Sequence, residues 1–204
     1  DLKNFFIISY DSSGLFRWLK QPGSDTITDL IRQDRLKRYS DIVGSPSGGV
    51  NNMSYMPKGL LAGGDGVVVP QDGMYITEYN ANGNVVKLTA LDMQVNPLAT
   101  GFQNIRMVRM PSGKFVVGCR VTGSGTPPTN YNLSVGGVLV NYPTLLACFG
   151  INGNLLWHKE NSIQSTSGNG IMYRPVFMSG YIYIAGRASS NNNSSFGGVS
   201  IINN

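Results

Sequence analysis

The sequence predicts an all-β protein made of three repeats of about 70 residues each. Three similar strand–turn–strand patterns are centred on Gly14, Gly83 and Gly153, which lie 69 and 70 residues apart (83 − 14 and 153 − 83). The chain also contains 26 Gly and 10 Pro in 204 residues, a composition that favours many short strands joined by turns. Hydrophobic residues make up 41% of the sequence, which is enough for a folded core.

Each of the three central glycines lies in a predicted β-hairpin. Small and mostly polar residues precede the glycine in Asp-Ser-Ser-Gly14 and Asn-Ala-Asn-Gly83, and apolar runs flank both patterns. Such turns need a residue with positive φ, which glycine supplies. The aromatic residues Tyr10, Tyr79 and Phe149 stand four positions before the glycines, and Trp18, Lys87 and Trp157 stand four positions after them. We expect the two tryptophans to pack between repeats rather than to stack on sugars.

A second hairpin is predicted in each repeat. Its turn is assigned to Met56–Gly59, Met110–Gly113 and Met178–Gly180, which separate apolar runs. A further short apolar strand follows each time, at 66–69, 137–140 and 198–202. We therefore predict a single repeat domain over residues 1–204, with four or five strands per repeat and repeats at about 1–66, 67–137 and 138–204.

Three insertions interrupt this plan, at 24–43, 122–136 and 189–195. The first carries a helical pattern near 28–39, with a capping residue at its start and basic residues near its end. Because loops carry binding functions more often than the framework does, we expect the insertions to contact partners. The candidate partner-binding residues in them are Arg32, Arg35, Lys37, Arg38, Tyr131 and Asn192.

Charge and composition restrict the classes of function. The net charge is +5, but apart from the cluster at 32–38 the basic residues are scattered, so we expect no nucleic-acid binding. No run of 18 apolar residues occurs, so we expect no membrane insertion. Charged residues are only 13% of the chain, a low fraction that is common in extracellular and virion proteins. The chain begins with Asp1 and no signal peptide, as in a mature product, a cleaved product or an excerpt.

Few residues are suited to catalysis or metal binding. With a single histidine, His158, and two separated cysteines, no zinc site of the usual spacing is expected, and no cofactor is predicted. His158 falls where the other repeats have leucine, which favours a packing role. Cys119 and Cys148 are expected to be buried free thiols, with a disulfide as the alternative. Glu78 and Glu160 keep a polysaccharide-degrading enzyme open as an alternative, since glycosidases use two carboxyl groups.

The repeat pattern resembles a bacterial β-propeller repeat, the SBBP-like type, and the blades of quinoprotein-like propellers. It consists of an apolar strand, an aromatic residue, small polar residues, glycine and a strand ending in Trp, followed by the strand at Tyr181–Arg187. The resemblance implies propeller-like blades and a setting in phage fibre or bacterial surface proteins. Since propellers close with four to eight blades, three repeats imply completion by further residues or a partner, or a closed threefold β-trefoil or β-prism. Self-closure would let the C-terminal strand complete the N-terminal repeat.

These observations predict a non-catalytic structural or attachment module. Its expected setting is a virion, as part of a phage tail or fibre, or an extracellular cell surface. Its expected partners are protein neighbours in a larger assembly or further copies of this chain, with a surface glycan as a possible ligand. The alternative is an extracellular carbohydrate-binding or polysaccharide-degrading protein.

Overall fold

The computed structural model describes residues 6–21, 40–63, 66–95, 101–122, 131–160, 171–172, 174–187, 194–196 and 199–201. Every element of regular secondary structure in these ranges is a β-strand, which confirms the all-β prediction. The chain divides into two compact units, unit 1 (Asp1–Ala90) and unit 2 (Leu91–Asn204). The helix predicted near 28–39 lies outside the described residues, and the single-domain assignment stays a prediction.

Unit 1 contains a two-stranded and a four-stranded antiparallel sheet. The two-stranded sheet is the hairpin of β1 (Ile7–Tyr10) and β2 (Phe16–Lys20). The four-stranded sheet has the order β3-β4-β5-β6, so that each strand pairs with the next along the chain. Its strands are β3 (Ser40–Gly44), β4 (Val50–Met56), β5 (Gly73–Tyr79) and β6 (Val85–Ala90).

Unit 2 contains a four-stranded antiparallel sheet of order β13-β12-β9-β8, in which β9 pairs with β12 although β10 and β11 lie between them in the chain. Its strands are β8 (Gly101–Arg109), β9 (Phe115–Thr122), β12 (Thr144–Phe149) and β13 (Leu155–Glu160). A three-stranded sheet is formed by β7 (Met93–Val95), β10 (Leu133–Val135) and β11 (Val138–Leu139). The other strands form two-stranded sheets: β14 (Ile171–Met172) with β17 (Gly186–Arg187), β15 (Val176–Met178) with β16 (Tyr181–Tyr183), and β18 (Ser194–Phe196) with β19 (Val199–Ile201).

Each four-stranded sheet consists of two hairpins, which we call the leading and the trailing hairpin in chain order. The leading hairpins are β3–β4 and β8–β9, and the trailing hairpins are β5–β6 and β12–β13. The second strand of the leading hairpin pairs with the first strand of the trailing hairpin in both sheets. The β1–β2 hairpin contains the Gly14 turn and resembles a trailing hairpin by sequence.

Five described hairpin turns share one hydrogen-bonding pattern. The first residue of a five-residue turn donates its N–H to the carbonyl of the fifth, and the glycine at the fourth position donates to the carbonyl of the first. This is a type I turn closed by a glycine in the left-handed region, where φ is 79° to 84°. The turns are Asp11–Leu15, Ser45–Gly49, Asn80–Asn84, Met110–Lys114 and Gly150–Asn154.

One turn assignment from the sequence is wrong. Met110–Gly113 joins the two strands of a leading hairpin, but the equivalent turn in unit 1 is Ser45–Gly49 rather than Met56–Gly59. The segment that begins at Met56–Gly59 folds back on itself, with the Gly59 N–H donating to the Val69 carbonyl. The two Met-Pro-x-Gly sequences have the same local turn signal, whereas strand pairing decides which turn lies in the sheet. Part of the predicted insertion at 24–43 is accordingly strand β3.

Both tryptophans have packing roles, as the sequence predicted. In unit 1 the indole of Trp18 donates a hydrogen bond of 3.0 Å to the carbonyl of Ala81 and stacks on Tyr79 with a centroid distance of 6.2 Å. In unit 2 Trp157 packs on a buried cluster that includes Val116 and Leu146. A separate cluster in unit 1 contains Met56, Leu60, Ala62, Val69 and Tyr75.

The Asp11 carboxylate fixes its turn in the way that the neutral amide of Asn80 does in the β5–β6 hairpin. Its Oδ1 accepts hydrogen bonds from the Ser13 hydroxyl, at 2.6 Å, and from the N–H groups of Ser13 and Leu15. Asn80 Oδ1 likewise accepts from the N–H groups of Asn82 and Asn84. The hydrogen bond from Ser13, followed by that from Leu15, lowers the pKa of Asp11 below its ordinary value of 3.8.

This lowered pKa predicts a pH-dependent contribution to stability. The ionised Asp11 stabilises the fold fully above its unfolded-state pKa, and the contribution is lost as pH falls through the lowered folded-state pKa. Asp11→Asn keeps the acceptor oxygen, as Asn80 shows, but cannot titrate. We expect the difference in urea midpoint between wild type and Asp11→Asn to shrink as pH falls from about 5 to about 2. A difference that stays constant over this range would contradict the assignment.

Candidate functional site

The Glu78 carboxylate, one of the two acids that a depolymerase would need, supports a turn. Its Oε1 accepts a hydrogen bond of 2.6 Å from the Ser45 hydroxyl and lies 3.5 Å from the Ser47 hydroxyl. Both serines belong to the Ser45–Gly49 turn, so the carboxylate joins the trailing hairpin to the turn of the leading hairpin. The hydrogen bonds give this acid on strand β5 a structural role.

The Glu160 carboxylate supports a loop in the same manner. Its Oε2 accepts hydrogen bonds from the N–H groups of Asn141 and Tyr142, at 2.8 and 2.9 Å. Its Oε1 lies 3.5 Å from Nε2 of His158, whose side chain is 21% exposed. His158 therefore lies beside the carboxylate at the edge of a sheet, in a partly buried position. The arrangement holds the segment that leads into strand β12.

The two cysteines cannot form a disulfide with each other in this sheet. Cys119 on β9 lies opposite Leu145, and Cys148 on β12 lies opposite Val116. The two thiols are thus three register positions apart and on opposite faces of the sheet, beyond the separation that a disulfide spans. Both are buried and free. Burial raises the pKa of Cys119 to about 12, which makes the thiol a poor nucleophile near neutral pH.

No cluster of three or more metal-binding side chains occurs in the part of the chain that the structure describes. Over the same ranges, no helix with the length and hydropathy of a membrane span is found.

Most of the candidate partner-binding residues lie outside the described part of the chain. Arg32, Arg35, Lys37, Arg38 and Asn192 all belong to this group, so their role stays a prediction. Tyr131 is described, and the structure corrects its assignment to an exposed loop, because its side chain is only 4% exposed. The reason is that the end of this insertion forms β10, which pairs with β7 and brings Tyr131 into the interior. Burial also raises the pKa of Tyr131.

Exposed apolar side chains concentrate on two hairpins. The first set, which we call the β1–β2 apolar surface, lies on and beside the N-terminal hairpin and consists of Phe6, Ile8, Tyr10, Leu15, Phe16 and Leu19. The second set, the β15–β16 apolar surface, consists of Val176, Met178, Tyr181, Tyr183 and Ile184. Contiguous apolar groups of this kind mark interaction surfaces in soluble proteins. These two surfaces are the candidate functional sites of the described chain.

Sequence reasoning missed both surfaces, although the sequence contained a signal for them. Tyr10, Tyr79 and Phe149 occupy the same position relative to their turn glycines. Tyr79 and Phe149 are completely buried in four-stranded sheets, whereas Tyr10 lies in a two-stranded sheet and is 54% exposed. The detectable signal was therefore the β1–β2 hairpin, which has the apolar sequence of the hairpins around Tyr79 and Phe149. Unlike those hairpins, it has no neighbouring strands in the described sheets.

The fold and the two surfaces define an all-β protein built from antiparallel hairpins, with exposed apolar side chains on two of them. No family model matches this chain, and neither a curated protein nor a solved structure matches it. The resemblance to propeller repeats thus stays a prediction based on the residues themselves.

Proposed function

We propose that this protein is a non-catalytic structural or attachment module that acts through protein partners in a larger assembly. The observation that carries the proposal is the concentration of exposed aromatic and aliphatic side chains on the β1–β2 and β15–β16 apolar surfaces. Apolar surfaces of this kind are covered in assemblies, because leaving them in water costs free energy. The engagement of Glu78 and Glu160 in supporting turns and loops supports a framework role for these acids.

We further propose a propeller-like arrangement of blades. Four-stranded antiparallel sheets, of which two are described here, are the units from which propellers are built. The β1–β2 and β15–β16 hairpins each have the strand–turn–strand form of part of such a blade. A closed threefold β-trefoil or β-prism is the alternative architecture.

The proposed setting is a virion, in a phage tail or fibre, or an extracellular surface. The low charged fraction of 13% supports this setting. The basic residues Arg32, Arg35, Lys37 and Arg38 are proposed as contacts to an acidic protein surface, and Asn192 as a contact from the third insertion. We propose neither nucleic-acid binding nor membrane insertion as its function.

A carbohydrate-binding or polysaccharide-degrading protein is the second candidate. The observation that favours it is the exposure of three tyrosines on the two apolar surfaces, Tyr10, Tyr181 and Tyr183. Tyr181 and Tyr183 lie edge to face with a centroid distance of 6.4 Å. Exposed tyrosine rings combine an apolar face with a polar hydroxyl, the combination that sugar ligands require.

Two measurements on the purified protein separate these candidates. We expect sedimentation velocity to give a mass that rises above 22.0 kDa with concentration, and a polysaccharide panel to give no soluble product. Tyr183→Ser should reduce the self-association, whereas Val86→Ser, at a similarly exposed site on β6, should not. A monomer at all concentrations that releases oligosaccharides would overturn the proposed structural function.

A further inference from the structure

Two of the five glycine turns contain an asparagine directly before the left-handed glycine. These pairs are Asn82-Gly83 in the β5–β6 hairpin and Asn152-Gly153 in the β12–β13 hairpin, whereas the other three turns have serine at this position. Both asparagine residues are exposed and both glycines are buried. Because glycine has no side chain to hinder its backbone nitrogen, asparagine followed by glycine is the dipeptide most open to deamidation. A further Asn-Gly pair, at 169–170, lies outside the described residues.

Deamidation is a reaction between these two residues that needs no reagent except water. The backbone nitrogen of the glycine attacks Cγ of the asparagine, so that a new N–Cγ bond forms and the Cγ–Nδ2 bond breaks. The amide proton of the glycine passes through solvent to the leaving group, which departs as ammonia, and a cyclic succinimide remains. Water then opens the ring at either of its carbonyl groups and leaves aspartate or isoaspartate. Both products carry an added negative charge, and isoaspartate also lengthens the main chain by a methylene group.

The closed turn opposes this reaction. The N–H of Gly83 donates a hydrogen bond of 3.0 Å to the carbonyl of Asn80. The N–H of Gly153 likewise donates a hydrogen bond of 2.9 Å to the carbonyl of Gly150. In a type I turn the residue before the glycine has a ψ of about 0°. Ring closure requires a rotation about this bond that brings the glycine nitrogen to Cγ, and the rotation breaks the hydrogen bond of the turn. The rate of deamidation therefore depends on how often the turn opens.

Trp18 of strand β2 holds the turn around Asn82 closed. Its indole N–H donates a hydrogen bond of 3.0 Å to the carbonyl of Ala81, the residue before Asn82. The ring lies so close to Gly83 that a methyl group built on this glycine would be 2.7 Å from an indole carbon. The ring also stacks on Tyr79, directly before the turn. Opening the turn therefore requires that the indole leave its position.

A different contact holds the turn around Asn152. The carbonyl of Gly153 accepts a hydrogen bond of 2.8 Å from the N–H of Asp92, the residue before strand β7. This donor is a backbone group of unit 2, whereas the contacts of Trp18 lie within unit 1. The two turns thus share their backbone geometry and their reactive dipeptide but not the contact that keeps them closed. A change at Trp18 should accordingly affect one turn and leave the other as it is.

We propose that Asn82 is a deamidation site whose rate is controlled by the packing of Trp18 on its turn. While the β1–β2 hairpin packs through Trp18, the turn stays closed and the asparagine persists. When the indole leaves, the Gly83 nitrogen reaches the carboxamide and the ring closes. Isoaspartate then displaces the N–H group that donates to Asn80 Oδ1, so the turn on which Trp18 packs does not form again. The reaction therefore makes the release of Trp18 permanent, and it is independent of the proposed function.

Trp18→Ala is expected to accelerate deamidation of Asn82 about tenfold or more, because the turn opens more often without the indole. Asn152 in the same molecules is the internal control, and its rate should stay unchanged. Leu19→Ala is the matched control variant, since Leu19 is the next residue on β2, is 50% exposed and points to the other side of the strand. Both rates in this variant should equal those of the wild type. Incubation at mildly alkaline pH, followed by mass spectrometry that locates aspartate and isoaspartate in each peptide, measures the rates.

Equal rates at Asn82 in the wild type and in folded Trp18→Ala, or no product at Asn82 in either protein, would contradict the proposal. Circular dichroism shows whether Trp18→Ala is folded. If it is not, Trp18→Phe decides, since phenylalanine keeps an aromatic ring beside Gly83 but lacks the N–H that binds Ala81. Deamidation of Asn82 should then be severalfold faster with Asn152 unchanged. An equal change at both asparagines, or none, would rule out control by Trp18.

The effect of the modification is measured on aged wild-type protein. Ion exchange separates the deamidated molecules by their added negative charge, and peptide mapping identifies the fraction that carries isoaspartate at Asn82 alone. We expect this fraction to unfold at a lower urea concentration than the unmodified protein, because the turn on which Trp18 packs is lost. An unchanged urea midpoint would show that the turn tolerates isoaspartate and would refute the permanent release of Trp18.

Discussion

Replacing Gly49 with alanine is expected to destabilise unit 1 by about 3 kcal/mol, one of the largest effects of a single methyl group in this chain. A methyl group built at Gly49 would overlap the carbonyl oxygen of Tyr79 and lie 2.7 Å from the carbonyl carbon of Asn80. These atoms are backbone, so relief requires separating β4 from β5, which are paired along their whole length. The close approach of the Ser45–Gly49 turn to the neighbouring strand therefore requires glycine.

Gly44 provides the matched control for this substitution. It lies five residues earlier, at the end of β3, and a methyl group there meets no atom within 4 Å. Gly44→Ala should change the free energy of unfolding by no more than about 0.5 kcal/mol. Urea titration followed by circular dichroism measures both variants. If Gly49→Ala unfolds at the same urea concentration as Gly44→Ala, the packing of this turn on β5 is wrong.

Gly83→Ala is expected to cost about 3 kcal/mol, against about 1 kcal/mol for Gly14→Ala. Both glycines close the same type of turn, with φ of 80° and 84°, so both substitutions carry the same backbone strain. At Gly14 a methyl group meets nothing within 4 Å, whereas at Gly83 it would lie 2.7 Å from the indole of Trp18. The larger loss at Gly83 comes from displacing Trp18 from Ala81 and Tyr79.

A double-mutant cycle isolates the contribution of the indole. In a Trp18→Ala background the steric conflict is absent, so Gly83→Ala should cost only about 1 kcal/mol, as Gly14→Ala does in the wild type. Urea unfolding of the four proteins in the cycle provides the energies. An unchanged cost of Gly83→Ala in the Trp18→Ala background would show that Trp18 does not pack on this turn.

The local turns could be predicted from the sequence with good accuracy. The hairpins around Gly14, Gly83 and Gly153 form where they were predicted, each with a left-handed glycine. The turns could be predicted because a positive φ and a short polar turn depend on only a few adjacent residues. The packing of Trp18 and the burial of the two cysteines also followed from residue type and strand position.

Pairings between distant segments could not be read in the same way. Met56–Gly59 has the local sequence of a hairpin turn, but its preceding strand β4 pairs with β3, which lay in a predicted insertion. Tyr131 was assigned to a loop and lies in the interior, because β10 pairs with β7 about 40 residues earlier in the chain. Neither partner strand is identified by the residues next to the turn or to Tyr131.

The candidate surfaces show the same division between local and tertiary information. The sequence by itself determined that Phe6, Ile8 and Tyr10 belong to an apolar segment that leads into a glycine turn, because alternation and turn chemistry act over a few residues. Only the tertiary structure decided that these side chains are exposed while their equivalents are buried. Exposure depends on which strands lie beside and above a hairpin, and that is a property of the whole sheet. The three-repeat pattern thus predicted the hairpins, and their incomplete pairing revealed the candidate interaction surfaces.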